Sequence, residues 1–200
     1  MSQMQSFKEL RIKAKNVLEE HYKDKNQKRL AHIYGVAEMA EFLANRYGID
    51  PDMAYIAGLM HDYSKYDNFD ELKYLLSDSD NKECEKYPFL YHAYLSAIFF
   101  KRLVIDNDLI YNAIRYHVFG RVGMNMLEAI IMISDFTEKN RTYPDCIRCR
   151  KILVEDNDID LAIYESLLAT KRHCLEEGNE IHPEQAKVLE EYEEKIRSRK

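Results

Sequence analysis

The sequence predicts an all-α, single-domain helical bundle. Apolar residues recur at helical spacing through most of the 200 residues, cap residues punctuate those runs, and no stretch alternates like a half-buried strand. One domain of this length, residues 1–200, buries a substantial core. It reads as a core over about residues 28–141 carrying the candidate site, followed by C-terminal helices over about 144–197. Neither glycine-serine linkers nor repeats divide it.

Each element has its own signal. Phe7, Leu10, Val17 and Leu18 place an amphipathic first helix ending by about Asn26. A second, over about 28–47, has a face of Leu30, Ile33, Val36, Ala37, Ala40, Phe42 and Leu43, and Gly48 stops it. Asp50-Pro51 starts a third, with the acid as cap and the proline in the first turn. It carries Met53, Ile56, Ala57, Leu59 and Met60; Gly58 within it lowers helix propensity and predicts a close helix crossing.

A loop, a short helix around residues 69–76 and a solvated polar loop over 77–86 follow. Pro88 opens a helix whose Phe89, Leu90, Leu95, Ile98, Phe99 and Leu103 surround His92. Asp106-Asn107-Asp108 caps another over about 109–117, and Gly120 and Gly123 then break regularity. Residues 124 to about 137 form the most apolar helix, with Asp135 near its end. Three more run from Tyr143-Pro144 to about Val154, from Asp156-Asn157-Asp158 to near Gly178, and over about 184–200.

Composition narrows the function. Apolar residues at 46% and a net charge of -6 describe a folded, soluble chain. Mild acidity argues against non-specific nucleic-acid binding and leaves room for a locally basic cleft. The four cysteines, Cys84, Cys146, Cys149 and Cys174, read as reduced thiols; Cys146-Ile-Arg-Cys149 lacks a second pair. The first residues are polar, and no stretch approaches 18 uncharged apolar residues. The expectation is a cytoplasmic protein without membrane or nucleic-acid partners.

The chemistry centres on Ala57-Gly-Leu-Met-His-Asp-Tyr-Ser-Lys65, an apolar run ending in adjacent His61 and Asp62. Neighbours on a helix point about 100° apart, so both reach one ion only from an edge facing a cleft. His32, His92, His117 and Asp135 lie beside other apolar runs, and burying six such groups without a common partner is expensive. The six are therefore candidate metal ligands. Their number exceeds one tetrahedral shell, favouring two ions with Asp62 as bridge. His21, His173 and His182, in charged or turn contexts, read as surface histidines.

Lys65 lies about one turn beyond Asp62, placed to face a phosphate. Arg29, Arg115, Arg121 and Arg141 sit near the ends of the ligand-bearing segments, Arg121 in a glycine-flanked loop. No Gly-Lys-Ser/Thr phosphate loop, nucleophile elbow or His-Glu-x-x-His is present.

The order His32, His61-Asp62, His92, His117, Asp135 resembles the HD superfamily of metal-dependent phosphohydrolases. Longer strings resemble its bacterial symmetrical diadenosine tetraphosphate hydrolases: Arg29-Leu-Ala-His-Ile-Tyr-Gly-Val36, Ala57 to Lys65, Ala113-Ile-Arg-Tyr-His117, Gly120-Arg-Val-Gly-Met124 and Ser134-Asp-Phe-Thr-Glu-Lys-Asn-Arg141. The resemblance covers roughly residues 28–182. It implies an HD-domain bundle with a two-metal centre, often of iron, with manganese, cobalt, zinc or magnesium as alternatives. It implies cleavage of diadenosine tetraphosphate (Ap4A) to two ADP by attack of metal-bound hydroxide on phosphorus. His32, His61, Asp62 and Asp135 would hold one ion; His92, His117 and bridging Asp62 the other.

Lys65 and Arg121 would steady the developing charge, with Arg115, Arg29 and Arg141 as further phosphate contacts. Alternatives are an HD nucleotidase or cyclic-nucleotide phosphodiesterase, and a non-catalytic module binding ADP- or GDP-like nucleotides. A homodimer is compatible with all three. The chain departs from the family pattern at Val118, usually threonine, Asn125, usually serine, Ser134, often alanine, and Met60, in place of leucine.

Overall fold

Helix caps set the boundaries in the computed structural model, which describes residues 6–199. Ser6 opens α1 (Phe7–Tyr22) with a reciprocal capping box to Glu9. Asn26 accepts from two backbone amides to open α2 (Gln27–Tyr47), and Gly48 closes it at φ 71°, a left-handed conformation open to glycine. Asp50 and Pro51 start α3 (Pro51–Met60). Then come α4 (Phe69–Leu72), a 3-10 turn (Lys73–Leu75), α5 (Asp78–Lys86), a 3-10 turn (Pro88–Leu90) and α6 (Tyr91–Leu103). The remainder is α7 (Asp108–Arg115), α8 (Met126–Thr137), α9 (Pro144–Val154), α10 (Ile159–Glu176) and α11 (Pro183–Arg197). The described residues contain no strand, and the architecture is a single-domain all-α bundle.

Helix α3 is the hub. It packs on α1, α2, α6, α7 and α8, and its Ala54, Ile56, Ala57, Gly58, Leu59 and Met60 are all buried. A helix apolar on every side belongs inside a bundle. Gly58 meets the expectation of a close crossing: an added Cβ would lie 2.6 Å from the Ala37 Cα of α2. The layer α8–α9–α10–α11 closes the bundle on the other side.

Four expectations are corrected. Residues 78–86 form α5, not a loop: Ser77 caps it, Asp78 and Asp80 suit its positive end, Lys86 its negative end, and Cys84 anchors it in the core. Phe42 is exposed, lying under the Arg46 guanidinium instead of in the core. His182 is only 7% exposed, because its ring stacks on Phe119, abuts Tyr87 edge-on and reaches Glu83. His21 is half-buried, stacked on Tyr63 and 3.1 Å from Asp67, whereas His173 is exposed.

Beyond Met60 the helix does not continue. The chain tightens into i to i+3 turns, with Tyr63 N–H donating to Met60 O, Lys65 to Asp62 and Asp67 to Ser64. Tyr22, fully buried on α1, donates its hydroxyl to the Asp62 carbonyl at 2.8 Å and pins this turn from below. No helix among the described residues is long and apolar enough to cross a membrane.

Candidate metal centre

Five segments deliver the six candidate ligands. His32 lies in the second turn of α2, His61 and Asp62 at the end of α3, His92 in the first turn of α6, His117 just past α7 and Asp135 near the end of α8. Helix ends are where side chains can converge without disrupting a backbone ladder. His61 and His117 use this directly: each Nδ1 meets the carbonyl three residues earlier, Gly58 O at 2.6 Å and Ile114 O at 2.7 Å. Those contacts fix Nδ1–H as donor and turn each Nε2 inward.

The two oxygens of Asp62 face different partners. Oδ1 lies 3.1 Å from His92 Nε2 and 3.9 Å from His117 Nε2. Oδ2 lies 3.6 Å from His61 Nε2 and 3.9 Å from His32 Nε2. Asp135 Oδ1 lies 3.0 Å from His32 Nε2 and 3.9 Å from His61 Nε2. Three overlapping triads result, His32-His61-Asp62, His61-His117-Asp135 and Asp62-His92-His117, each with donor atoms within 4.8 Å of one another. The sharing of Asp62 between two of them is what a bridging carboxylate requires.

The environment suits cations. His32 Nε2, His61 Nε2 and Asp62 Oδ1 are buried yet make no well-formed hydrogen bond, although orphaned buried polar atoms are rare. Burial pushes the His92 and His117 imidazoles down to about 4, leaving them neutral and able to donate a lone pair at neutral pH. Burial also lowers His61. At Asp62 burial pushes the carboxyl up, but His61, His92 and Lys65 outweigh it and hold it well below the usual range. Asp135 ends similarly low, burial being overcome by His32 and Arg141. His32 runs the other way: burial lowers its imidazole, but Asp135 and Glu138 outweigh that and raise it. Two anionic oxygens with the neutral His61, His92 and His117 rings fit a binuclear divalent centre, and nitrogen-oxygen donors suit manganese, iron, cobalt or zinc.

Of the candidate phosphate contacts, three surround the acids. Arg29 reaches Asp62 Oδ2 at 2.9 Å, Arg141 reaches Asp135 Oδ1 at 2.8 Å, and Lys65 Nζ lies 3.2 Å from the His92 ring and 3.9 Å from Asp62 Oδ1. Arg29 and Arg141 also line a cleft of about 690 Å³ with Lys28, His32, Tyr66 and Tyr143. Arg115 and Arg121 are engaged elsewhere. Arg115 pairs with Asp80 over the Tyr94 ring, and Arg121 pairs with buried Glu128. Both line a separate cleft of about 610 Å³ with Tyr116, Val118 and Phe119, which flank His117 in sequence.

One residue the sequence did not single out stands against the centre. Glu138, just past α8, places Oε1 3.1 Å from His32 Nδ1. Its sequence signal is slight, an acid three residues after Asp135 at a helix end.

Fold and cluster together define the class. The model of the HD domain matches residues 29–162, and the chain belongs to this family of metal-dependent phosphohydrolases. Within it, the chain is homologous to symmetrical bis(5'-nucleosyl)-tetraphosphatases. It is 32% identical over 160 residues to that of Bacillus subtilis, spanning 78% of this chain and 84% of the relative. It is also 32% identical over 159 residues to that of Halalkalibacterium halodurans, with the same coverage. The crystal structure of a predicted HD superfamily hydrolase involved in NAD metabolism from Clostridium acetobutylicum superposes with a TM-score of 0.79 at 27% identity, covering 96% of this chain and 99% of that one.

Proposed function

We propose that this protein hydrolyses dinucleoside polyphosphates symmetrically, Ap4A giving two ADP, with iron as the working metal. The observation that carries the reading is a buried His/Asp cluster at a cleft that three cations, Lys28, Arg29 and Arg141, line against one acid, the buried Glu138, with Lys65 beside His92. A polyphosphate is the ligand such charge fits. The name borne by the relatives supplies the tetraphosphate.

His32, His61, Asp62 and Asp135 would hold one divalent ion and His92, His117 and Asp62 a second, and such ions would supply Lewis acidity toward phosphoryl oxygens and water activation near neutral pH. The chain's own groups do the rest. Arg29 and Arg141, now turned to Asp62 and Asp135, have donors free to grip the bridging phosphates. Lys65 adds a point charge beside His92 that would steady negative charge growing on the polyphosphate. The exposed rings of Tyr66 and Tyr143 offer faces for a nucleobase. Arg121 would act from the second cleft only after leaving Glu128.

Fe²⁺- or Mn²⁺-loaded protein incubated with Ap4A should release ADP alone. His61→Ala and Asp62→Ala should each lose more than about 100-fold, beyond the 10–100-fold that an outer-shell partner is worth. AMP with ATP would overturn symmetrical cleavage, and no turnover would overturn the substrate. The likeness to a hydrolase of NAD metabolism makes NAD-type dinucleotides, with nucleotides and cyclic nucleotides, the panel against which Ap4A must win.

A further inference from the structure

His32 differs from His61 and His117 in where it sits. His61 and His117 lie at or beyond the ends of α3 and α7, where carbonyls are free, and each takes the one three residues back. His32 is six residues into α2, where the preceding carbonyls are committed to the helix ladder. An acceptor for its Nδ1–H must come from outside.

Glu138 provides it. Its side chain is 1% exposed, Oε1 stands 3.1 Å from His32 Nδ1, and Oε2 accepts the Asn140 backbone N–H at 2.7 Å. The carboxylate occupies a niche on α2 that exists because residue 35, one turn after His32, is glycine. A Cβ on Gly35 would lie 2.2 Å from Glu138 Oε2. Helix α9 holds the turn from the other side: the Arg150 guanidinium donates to the carbonyls of Thr137, Glu138 and Arg141. That places a cation at the C-terminus of α8, where helix carbonyls lack partners.

We infer that Glu138 is a positioning residue of the metal centre, seated by Gly35 and Arg150, whose carboxylate accepts His32 Nδ1–H and presents Nε2 to the ion. The inference rests on the metal-centre reading above. The carboxylate fixes both ring orientation and tautomer. A carboxylate has only acceptors, so the ring nitrogen facing it carries the proton and the inward nitrogen keeps its lone pair.

Zn²⁺ is the probe, read by competition with a chromophoric chelator and by ¹⁵N-histidine NMR. Zn²⁺-loaded wild-type protein should show His32 protonated at Nδ1. In Glu138→Gln an amide now faces either His32 Nδ1 or the Asn140 N–H, so one donor meets another. Zn²⁺ at the His32 side should bind about 10–100-fold more weakly while the His92-His117 side is little changed. Gly35→Ala changes no polar group yet expels the carboxylate, and should reproduce that loss. Added to Glu138→Ala, it should cost nothing more, because its target is gone.

Wild-type affinity in folded Glu138→Gln and Gly35→Ala would overturn the assignment. So would a Zn²⁺-loaded wild-type protein with His32 unprotonated at Nδ1, a test that stands even if both variants fail to fold. Wild-type protein that takes up no Zn²⁺ would overturn this assignment together with the metal centre beneath it. Ap4A turnover decides the proposed function separately.

Discussion

Gly58 stands three residues before His61, with its carbonyl accepting His61 Nδ1–H and the Ala37 backbone where its Cβ would be. Backbone cannot rotate away as a side chain can, so Gly58→Ala must part α2 from α3. The expected loss is about 1–3 kcal/mol, the usual scale of overpacking, measured by urea unfolding in the presence of a chelator. Because α2 carries His32 and α3 carries His61 and Asp62, Zn²⁺ affinity should fall with it. An unchanged unfolding midpoint would mean that the crossing is softer than this packing requires. The sequence marked the glycine as one needing a reason, and it marked all six candidate ligands, because few residue types offer lone pairs beside apolar runs. It could not mark Glu138, whose partner is 106 residues away and visible only once α2 lies against α8. Nor could it separate Arg29 and Arg141, at the acids, from Arg115 and Arg121, paired with Asp80 and Glu128.

Helices and turns were legible to the extent that they announce their ends. Asn26, Gly48, Asp50-Pro51, Asn107 and Asp158 all cap or stop helices where their chemistry says they should. Helix α5 escaped because a polar segment anchored by Cys84 alone has no apolar period to read. The turn after α3 was harder still, since its shape comes from tertiary ties. There Asp67 Oδ1 accepts from Lys25 Nζ at 2.7 Å and lies 3.1 Å from His21 Nε2, fastening the Lys65-bearing turn to the end of α1. Burial alone would raise the Asp67 carboxyl; bonds to His21 and Lys25 instead hold it at about 2 against an ordinary 3.8. A carboxyl held down stabilises the fold above its unfolded value, and that stability is lost as pH falls toward the folded value. The difference is worth about 2 kcal/mol. Wild-type protein should therefore exceed Asp67→Asn in stability by roughly this amount at pH 6, and the gap should close between about pH 4 and pH 2. Parallel pH profiles for the two proteins would remove the tie from the energetics of the turn.

At the scale of the molecule, the candidate centre is a crosslink among α2, α3, α6, the segment after α7 and α8. Two features say how much of the fold depends on ions there. The bundle has an apolar core of its own, in which Ile33, Leu43, Ile56, Leu59, Leu95, Phe100, Ile110 and Ile114 are essentially inaccessible. The two acids also have cations at hand in Arg29, Arg141 and Lys65, and burial keeps His92 and His117 neutral. Metal-free protein is thus expected to stay folded but less stable, unlike small zinc domains that unfold without their ion. An ion at 100 times its Kd stabilises the folded state by about 2.7 kcal/mol, so two contribute about 5 kcal/mol. At about 2–4 °C per kcal/mol for a chain of this size, chelation should lower Tm by roughly 10–20 °C, with helical circular dichroism retained at 25 °C. Asp62→Ala, which removes the shared ligand, should largely abolish the difference between Mn²⁺-loaded and chelated samples. A chelator that leaves Tm unmoved would show that no ion bridges these segments. One that melts the helices at 25 °C would show that the core cannot hold the bundle without it.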